Sequence, residues 1–225
     1  MKNKNIFVAC DVSNHQEILD LLSNIHDEIS GIKIGLQYIT NHSPEEIREL
    51  GKFNKPIFYD GKFFDIKNTL VESIKSLKEL NIDYATVHLL NGLNSLKAAN
   101  KVAGEIGIKL LGVSVLTSFD DEELEQLGFK DKVQNQVSRL IKIADKADLY
   151  GVICSPLEVK IIKQIAPKLK CFTPGIRQDE KKNDQKRTMN AKQALEEGSD
   201  CLIIGRPITD GDPKKNIQEI LSSLN

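Results

Sequence analysis

Asp60, Lys62 and Asp65 stand in the run Ile57-Phe58-Tyr59-Asp60-Gly61-Lys62-Phe63-Phe64-Asp65-Ile66-Lys67-Asn68-Thr69. Charged residues spaced Asp-x-Lys-x-x-Asp ordinarily make a solvated loop. Here they are interleaved with Phe63, Phe64 and Ile66, which a freely solvated loop has little reason to carry. Opposite charges favour an ammonium and desolvation disfavours it, so two carboxylates set against one burial term hold a lysine as a cation. At about 4 Å and an effective dielectric of ~20, each contact has a Coulomb term of about 4 kcal/mol before desolvation is subtracted. Such a lysine is a positioned proton donor.

The elements that must position these groups follow from periodicity. Residues 56–59 read as a short buried strand with Asp60 at its C-terminal end, and Lys62 and Asp65 fall in the loop beyond. Asn68 or Thr69 is the expected N-cap of a helix beginning Leu70-Val71-Glu72. The same unit recurs. Strands are expected at 6–12, 31–36, 84–89, 110–116, 151–154, 169–173 and 201–205. Helices are expected at 15–29, 45–53, 69–80, 93–106, 120–127, 133–144, 156–165, 190–197 and 216–224, with Ser43-Pro44 as a cap and first-turn proline. Uninterrupted alternation argues a parallel sheet with crossover helices. Eight units in 225 residues have the size of a closed α/β barrel, the (β/α)8 or TIM barrel. An open doubly wound sheet is the alternative, but it favours a Gly-rich loop after the first strand, and Asp11-Val12-Ser13-Asn14 is no such loop. No linker or low-complexity stretch interrupts the chain, so residues 1–225 are expected to form one domain.

Composition narrows the function classes. Lys and Arg (31) balance Asp and Glu (32), which gives no surface suited to nucleic acid or to a bilayer. No apolar run approaches the length of a membrane span, and Met1-Lys2-Asn3-Lys4-Asn5 leads into a strand rather than the apolar core of a signal peptide. A cytoplasmic enzyme is expected. Cys10, Cys154, Cys171 and Cys201 form no C-x-x-C pair and sit in or beside apolar runs, so buried thiols rather than disulfides are expected. His15, His26, His42 and His88 show no ligand spacing, and no metal site is expected.

Polar residues gather at strand C-terminal ends: Asp11, Lys33, Asp60, His88, Thr117 and Thr173. In a barrel those ends share one mouth, where catalytic groups sit. Lys33 lies inside an apolar strand and needs a partner, which Asp11 or Asp60 can supply; a purely structural ion pair is the plainer reading. Strand seven runs into Thr173-Pro174-Gly175-Ile176-Arg177 and strand eight into Gly205-Arg206-Pro207-Ile208. Barrels bind phosphate with these two loops, where glycine admits backbone N–H groups to an anion and arginine offers a bidentate fork. Gln185, in the long seventh loop, is placed to cover the anion from outside. Arg187 and lysines 181, 182 and 186 read as solvated.

Taken together and in this order, these pieces resemble the orotidine 5′-phosphate decarboxylase family in its bacterial form, from about residue 6 to 215. The matching segments are Asp11, Ile32-Lys33-Ile34-Gly35, the run from Asp60 to Thr69, Val115-Leu116-Thr117-Ser118, Thr173 to Arg177, Asp184-Gln185 with Arg187, and Ile204 to Thr209. Lys67 replaces the family's usual proline, and Leu89-Leu90-Asn91 replaces the usual small residues. The resemblance implies cofactor-independent decarboxylation of orotidine 5′-monophosphate to uridine 5′-monophosphate. It makes Lys62 the acid that protonates C6, sets Asp60 beside the substrate carboxylate, and brings Asp65 and Thr69 across a homodimer interface into the partner's site. It gives Asp11 and Lys33 to the ribose, Thr117 and Ser118 to the pyrimidine, and Arg177, Gln185, Gly205 and Arg206 to the phosphate. Two other readings compete. Metal-dependent sugar-phosphate decarboxylases and synthases share Asp-x-Lys-x-x-Asp but need a further acid on strand two, where this chain has Lys33. A non-catalytic phosphate-binding barrel has no need of the Lys/Asp array.

Overall fold

Alternation within strands and apolar stripes on helices set the layers of the structure, a computed structural model that describes residues 5–12, 14–177 and 188–224. In chain order the elements are β1 (Ile6–Cys10), α1 (His15–Ile25), β2 (Gly31–Gly35), α2 (Leu36–Ile39), α3 (Pro44–Glu49), β3 (Ile57–Phe63), α4 (Lys67–Ser76), β4 (Tyr84–His88) and α5 (Leu93–Glu105). They continue as β5 (Lys109–Val113), α6 (Asp121–Gln126), α7 (Val133–Lys146), β6 (Gly151–Ile153), α8 (Val159–Ile165), β7 (Lys170–Thr173), α9 (Ala191–Glu196), β8 (Cys201–Ile204), α10 (Arg206–Thr209) and α11 (Pro213–Ser223). All neighbouring strands pair in parallel, and β1 pairs β8, so the sheet closes into the expected barrel.

Ile6, Val8 and Cys10 of β1, with Ile32 and Ile34 of β2, face outward into the main core beneath the helices. The alternate residues face inward. Phe7, Phe58, Leu111, Phe172 and Ile203 fill the N-terminal half of the barrel. Phe7 meets Phe58, Tyr84 and Phe172 edge to face, with centroids 6.3, 5.5 and 5.8 Å apart, the geometry the ring quadrupole favours. A Cβ at Gly31 would lie 2.2 Å from the Phe7 ring, so glycine there admits the plug. The aromatic floor closes the barrel beneath a cavity at its C-terminal half. All four cysteines are buried free thiols.

Several boundaries differ from the sequence expectation. The sixth and eighth strands each stop one residue early, and the fifth stops at Val113 rather than at residue 116. Helix α4 starts at Lys67, not Leu70; its N-cap is Ile66, with no capping side chain. The largest correction concerns β3, which runs on through Asp60 and Gly61 to Phe63, so Lys62 lies within the strand. Tyr59 pairs with Ala85, but the next pair is Phe63 with Val87: four steps on β3 match two on β4. This irregularity re-aims the end of the strand.

Candidate active site

The inward parity that puts Phe7, Gly31, Phe58 and Tyr84 in the barrel floor puts Asp11, Lys33, Asp60 and Thr86 above it. Lys33 Nζ donates to Asp11 Oδ1 at 3.0 Å and lies 3.6 Å from Asp60 Oδ2. Lys62 Nζ donates to the same Asp60 oxygen at 2.9 Å. A Cβ on Gly35 would sit 2.8 Å from Asp11 Oδ1 and 3.2 Å from Lys33 Nζ, so the glycine leaves the ion pair its space. Asp60 is thus a buried carboxylate between two ammonium groups. Burial raises its pKa, but the charges of Lys33 and Lys62 and the hydrogen bonds from Lys62 and Thr86 outweigh that and hold the carboxyl below its ordinary value. Burial pulls Lys33 down, and Asp60 and Asp11 more than reverse it.

Lys62 takes a left-handed backbone conformation, φ 47°, which a residue with a Cβ adopts only when its surroundings compel it. Its N–H donates to Thr86 Oγ1 at 2.8 Å. Thr86 Oγ1 in turn donates to Asp60 Oδ1 at 2.9 Å. On either side of the distortion Tyr59 and Phe63 stack outside the barrel, 5.8 Å apart with planes 9° from parallel.

These groups open on a cavity of about 440 Å³, the size of a small-ligand site. Asp11, Lys33, Asp60 and Lys62 line it together with Thr117, Gly175, Arg177, Gly205 and Arg206, among others. Arg177 Nη1 donates to the carbonyl of Ile176 at 2.8 Å. Main-chain bonds between Arg177 N and Met189 O (3.0 Å), and between Met189 N and Gly175 O (3.2 Å), tie the two ends of the seventh loop. Gln185 and Arg187 lie outside the described residues.

Other expected members stand apart. Asp65 and Thr69 are exposed and do not line the cavity; Asp65 stands between the exposed side chains of Phe64 and Ile66, and Thr69 in the first turn of α4. Ser118 is exposed and does not line the cavity. Two of the residues grouped at the strand ends do not join the site. Thr173 has outward parity, and its buried hydroxyl is 2.7 Å from Ser199 Oγ. His88 Nδ1 accepts from Leu90 N at 3.3 Å, and the ring lies against Phe64; burial and the nearby Lys62 charge lower its pKa.

Sequence reasoning misses two polar side chains. Thr86 is one. The other is Asn91, whose Nδ2 donates to the carbonyls of Phe63 (2.9 Å) and His88 (2.8 Å) while its Oδ1 accepts from Asp65 N (3.1 Å). It fastens the segment carrying Asp65 to the end of β4. A lone threonine between Ala85 and Val87 was the only available signal for the first; the departure at Leu89-Leu90-Asn91 was the signal for the second. Among the described residues, no group of three or more His, Cys, Asp or Glu side chains is arranged to hold a metal ion.

Residues 4–220 match the family described as orotidine 5′-phosphate decarboxylase / HUMPS. The chain is 38% identical over 221 residues to the orotidine 5′-phosphate decarboxylase of Wolbachia pipientis subsp. Culex pipiens (strain wPip), covering 97% of this chain and 98% of that one. It is 38% identical over 223 residues to that of Ehrlichia canis (strain Jake), covering 98% and 97%. The crystal structure of orotidine 5′-phosphate decarboxylase from Lactobacillus acidophilus superposes with a TM-score of 0.85 at 33% identity, over 99% of both chains.

Proposed function

The chain belongs to the orotidine 5′-phosphate decarboxylase / HUMPS family, and from that premise we propose how its cavity works. It removes carbon dioxide from orotidine 5′-monophosphate and gives uridine 5′-monophosphate, a step of pyrimidine biosynthesis. The bond from C6 to the carboxyl carbon breaks, and its electron pair stays on C6. The Lys62 ammonium donates a proton to that carbon and is later reprotonated from water. No conjugated sink accepts the pair, so a fixed cation at C6 stabilises the transition state more than the ground state. Asp60, kept anionic, faces the departing carboxylate. Asp11 and Lys33 hold ribose hydroxyls, Thr117 faces the pyrimidine, and Arg177, Gln185, Gly205 and Arg206 hold the phosphate. Phosphate binding far from the reacting bond orients the ring, so a truncated substrate loses rate as well as affinity.

The observation that carries this reading is the Lys62–Asp60 pair at 2.9 Å in a cavity that Arg177 and Arg206 also line. Asp65 and Thr69 fit a homodimer in which each chain completes its partner's site. In support, both are exposed and neither lines its own chain's cavity, and Phe64 and Ile66 beside Asp65 are 62% and 74% exposed, an apolar patch suited to burial by a second copy. A cytoplasmic location goes with a step of pyrimidine biosynthesis, and no helix among the described residues is long and apolar enough to cross a membrane. The experiment is direct: purified protein is mixed with orotidine 5′-monophosphate and the loss of pyrimidine absorbance is followed. Unchanged absorbance at high protein concentration rejects the function.

A further inference from the structure

We propose that Thr86 is a positioning residue for the decarboxylation, its hydroxyl setting the Asp60 carboxylate and the Lys62 main chain in one geometry. This rests on the roles given above to Lys62 and Asp60. Thr86 is fully buried in the middle of β4. A hydroxyl has one proton to give and lone pairs to receive. The Lys62 N–H donates to Oγ1 at 2.8 Å, and an N–H cannot accept. The hydroxyl proton is therefore aimed at Asp60 Oδ1, 2.9 Å away. The direction of the bond follows from the partners alone.

The consequence is a division of labour at Asp60. Oδ2 takes both ammonium groups, Lys62 at 2.9 Å and Lys33 at 3.6 Å. Oδ1 is turned the other way and held by Thr86. Without the hydroxyl the carboxylate is free to rotate about its last bond, and either oxygen can meet either lysine. The same atom anchors the N–H of a residue in the left-handed region, φ 47°, at the point where β3 and β4 lose register. Across that break Thr86 offers a side-chain acceptor in place of a strand carbonyl. A branched Cβ limits the rotamers of threonine, so the hydroxyl is delivered in one direction. Valine keeps the shape and loses both bonds.

The test compares Thr86→Val, Thr86→Ala and Thr86→Ser with wild type, using turnover of orotidine 5′-monophosphate, affinity for uridine 5′-monophosphate and a thermal melt. Loss of a hydrogen bond to a charged group predicts a kcat lower by about 10- to 100-fold in the Val and Ala variants. Nucleotide affinity, set mainly by the phosphate wall, should change by less than about threefold. The hydroxyl is one of the groups that hold the Asp60 pKa down, so the acid limb of the pH–kcat profile should move to higher pH in Thr86→Val. Thr86→Ser should recover most of the lost kcat and the wild-type acid limb. A folded Val or Ala variant with wild-type kcat overturns the proposal, and so does a Ser variant no better than Val. If Val and Ala both fail to fold while Ser is fully active, the hydroxyl serves the fold alone and the proposal also fails. A wild-type protein inert toward the substrate would instead reject the function on which the proposal stands.

Discussion

Replacing Lys62 by alanine separates the electrostatic part of the site from its fold. Lys62 Nζ lies 2.9 Å from Asp60 Oδ2. At a similar distance from the electron pair left on C6, and an effective dielectric of ~20, one ammonium charge contributes about 5–6 kcal/mol. The Lys62 side chain is 34% exposed, so solvent screening trims this to about 3 kcal/mol at the low end. Since each 1.36 kcal/mol is tenfold in rate, the charge alone predicts a kcat reduced by about 10²- to 10⁴-fold. Loss of the proton source contributes a further factor of about 10²–10⁴ if proton transfer limits the rate, so the electrostatic low end is a floor. The fold should survive, because Asp60 keeps Lys33 at 3.6 Å and the Thr86 hydroxyl at 2.9 Å. The assay is absorbance loss with orotidine 5′-monophosphate, beside calorimetric titration with uridine 5′-monophosphate and a thermal melt. A folded variant that binds the product and turns over within about tenfold of wild type refutes the reasoning.

Lys33→Met removes a buried cation and leaves Asp11, whose side chain is 54% exposed, able to turn to water. The expected destabilisation is about 3 kcal/mol, the low end for a broken buried pair, read by urea unfolding. Acid should weaken the fold through Asp60. Its folded-state pKa lies below the ordinary 3.8, so its contribution is present above that value and is lost as pH falls through the folded one. Asp60→Asn should flatten this part of the stability–pH curve. Turnover should be unchanged after EDTA treatment; a loss restored by a divalent cation would point to the metal-using relatives. Ile66→Lys should shift the protein toward monomer in sedimentation and lower activity at low protein concentration; an active monomer would contradict the shared site.

The barrel is legible because each strand, covered by helices outside and filled from within, must be apolar at nearly every position, so polar residues mark the few places where a strand reaches the mouth. Lys33, Asp60 and Asp11 are found this way. What one strand does relative to the next is hidden. The register break opposite β4 depends on how far β3 runs before its neighbour's partner arrives, and that is why Lys62 reads as a loop residue. Thr86 reads as an ordinary strand threonine for the same reason: its value lies in what stands across the sheet. Thr173 shows the converse. It ends a strand, but its parity turns it away from the mouth toward Ser199. Asn68 and Thr69 are cap-forming residue types and so mask the true start of helix α4, whose first turn begins at Ile66, where the N–H bonds to Asp65 Oδ1 at 2.7 Å.

The left-handed main chain at Lys62 has a consequence for engineering. That conformation disfavours any side chain by about 1–2 kcal/mol relative to glycine. Lys62→Gly would remove that backbone cost, but it would also delete the 2.9 Å pair with the buried Asp60 carboxylate and loosen the unfolded chain, both of which lower stability. At this one position the main chain favours glycine and the side chain demands lysine, so a strained link is kept in the barrel for the sake of the ammonium it carries.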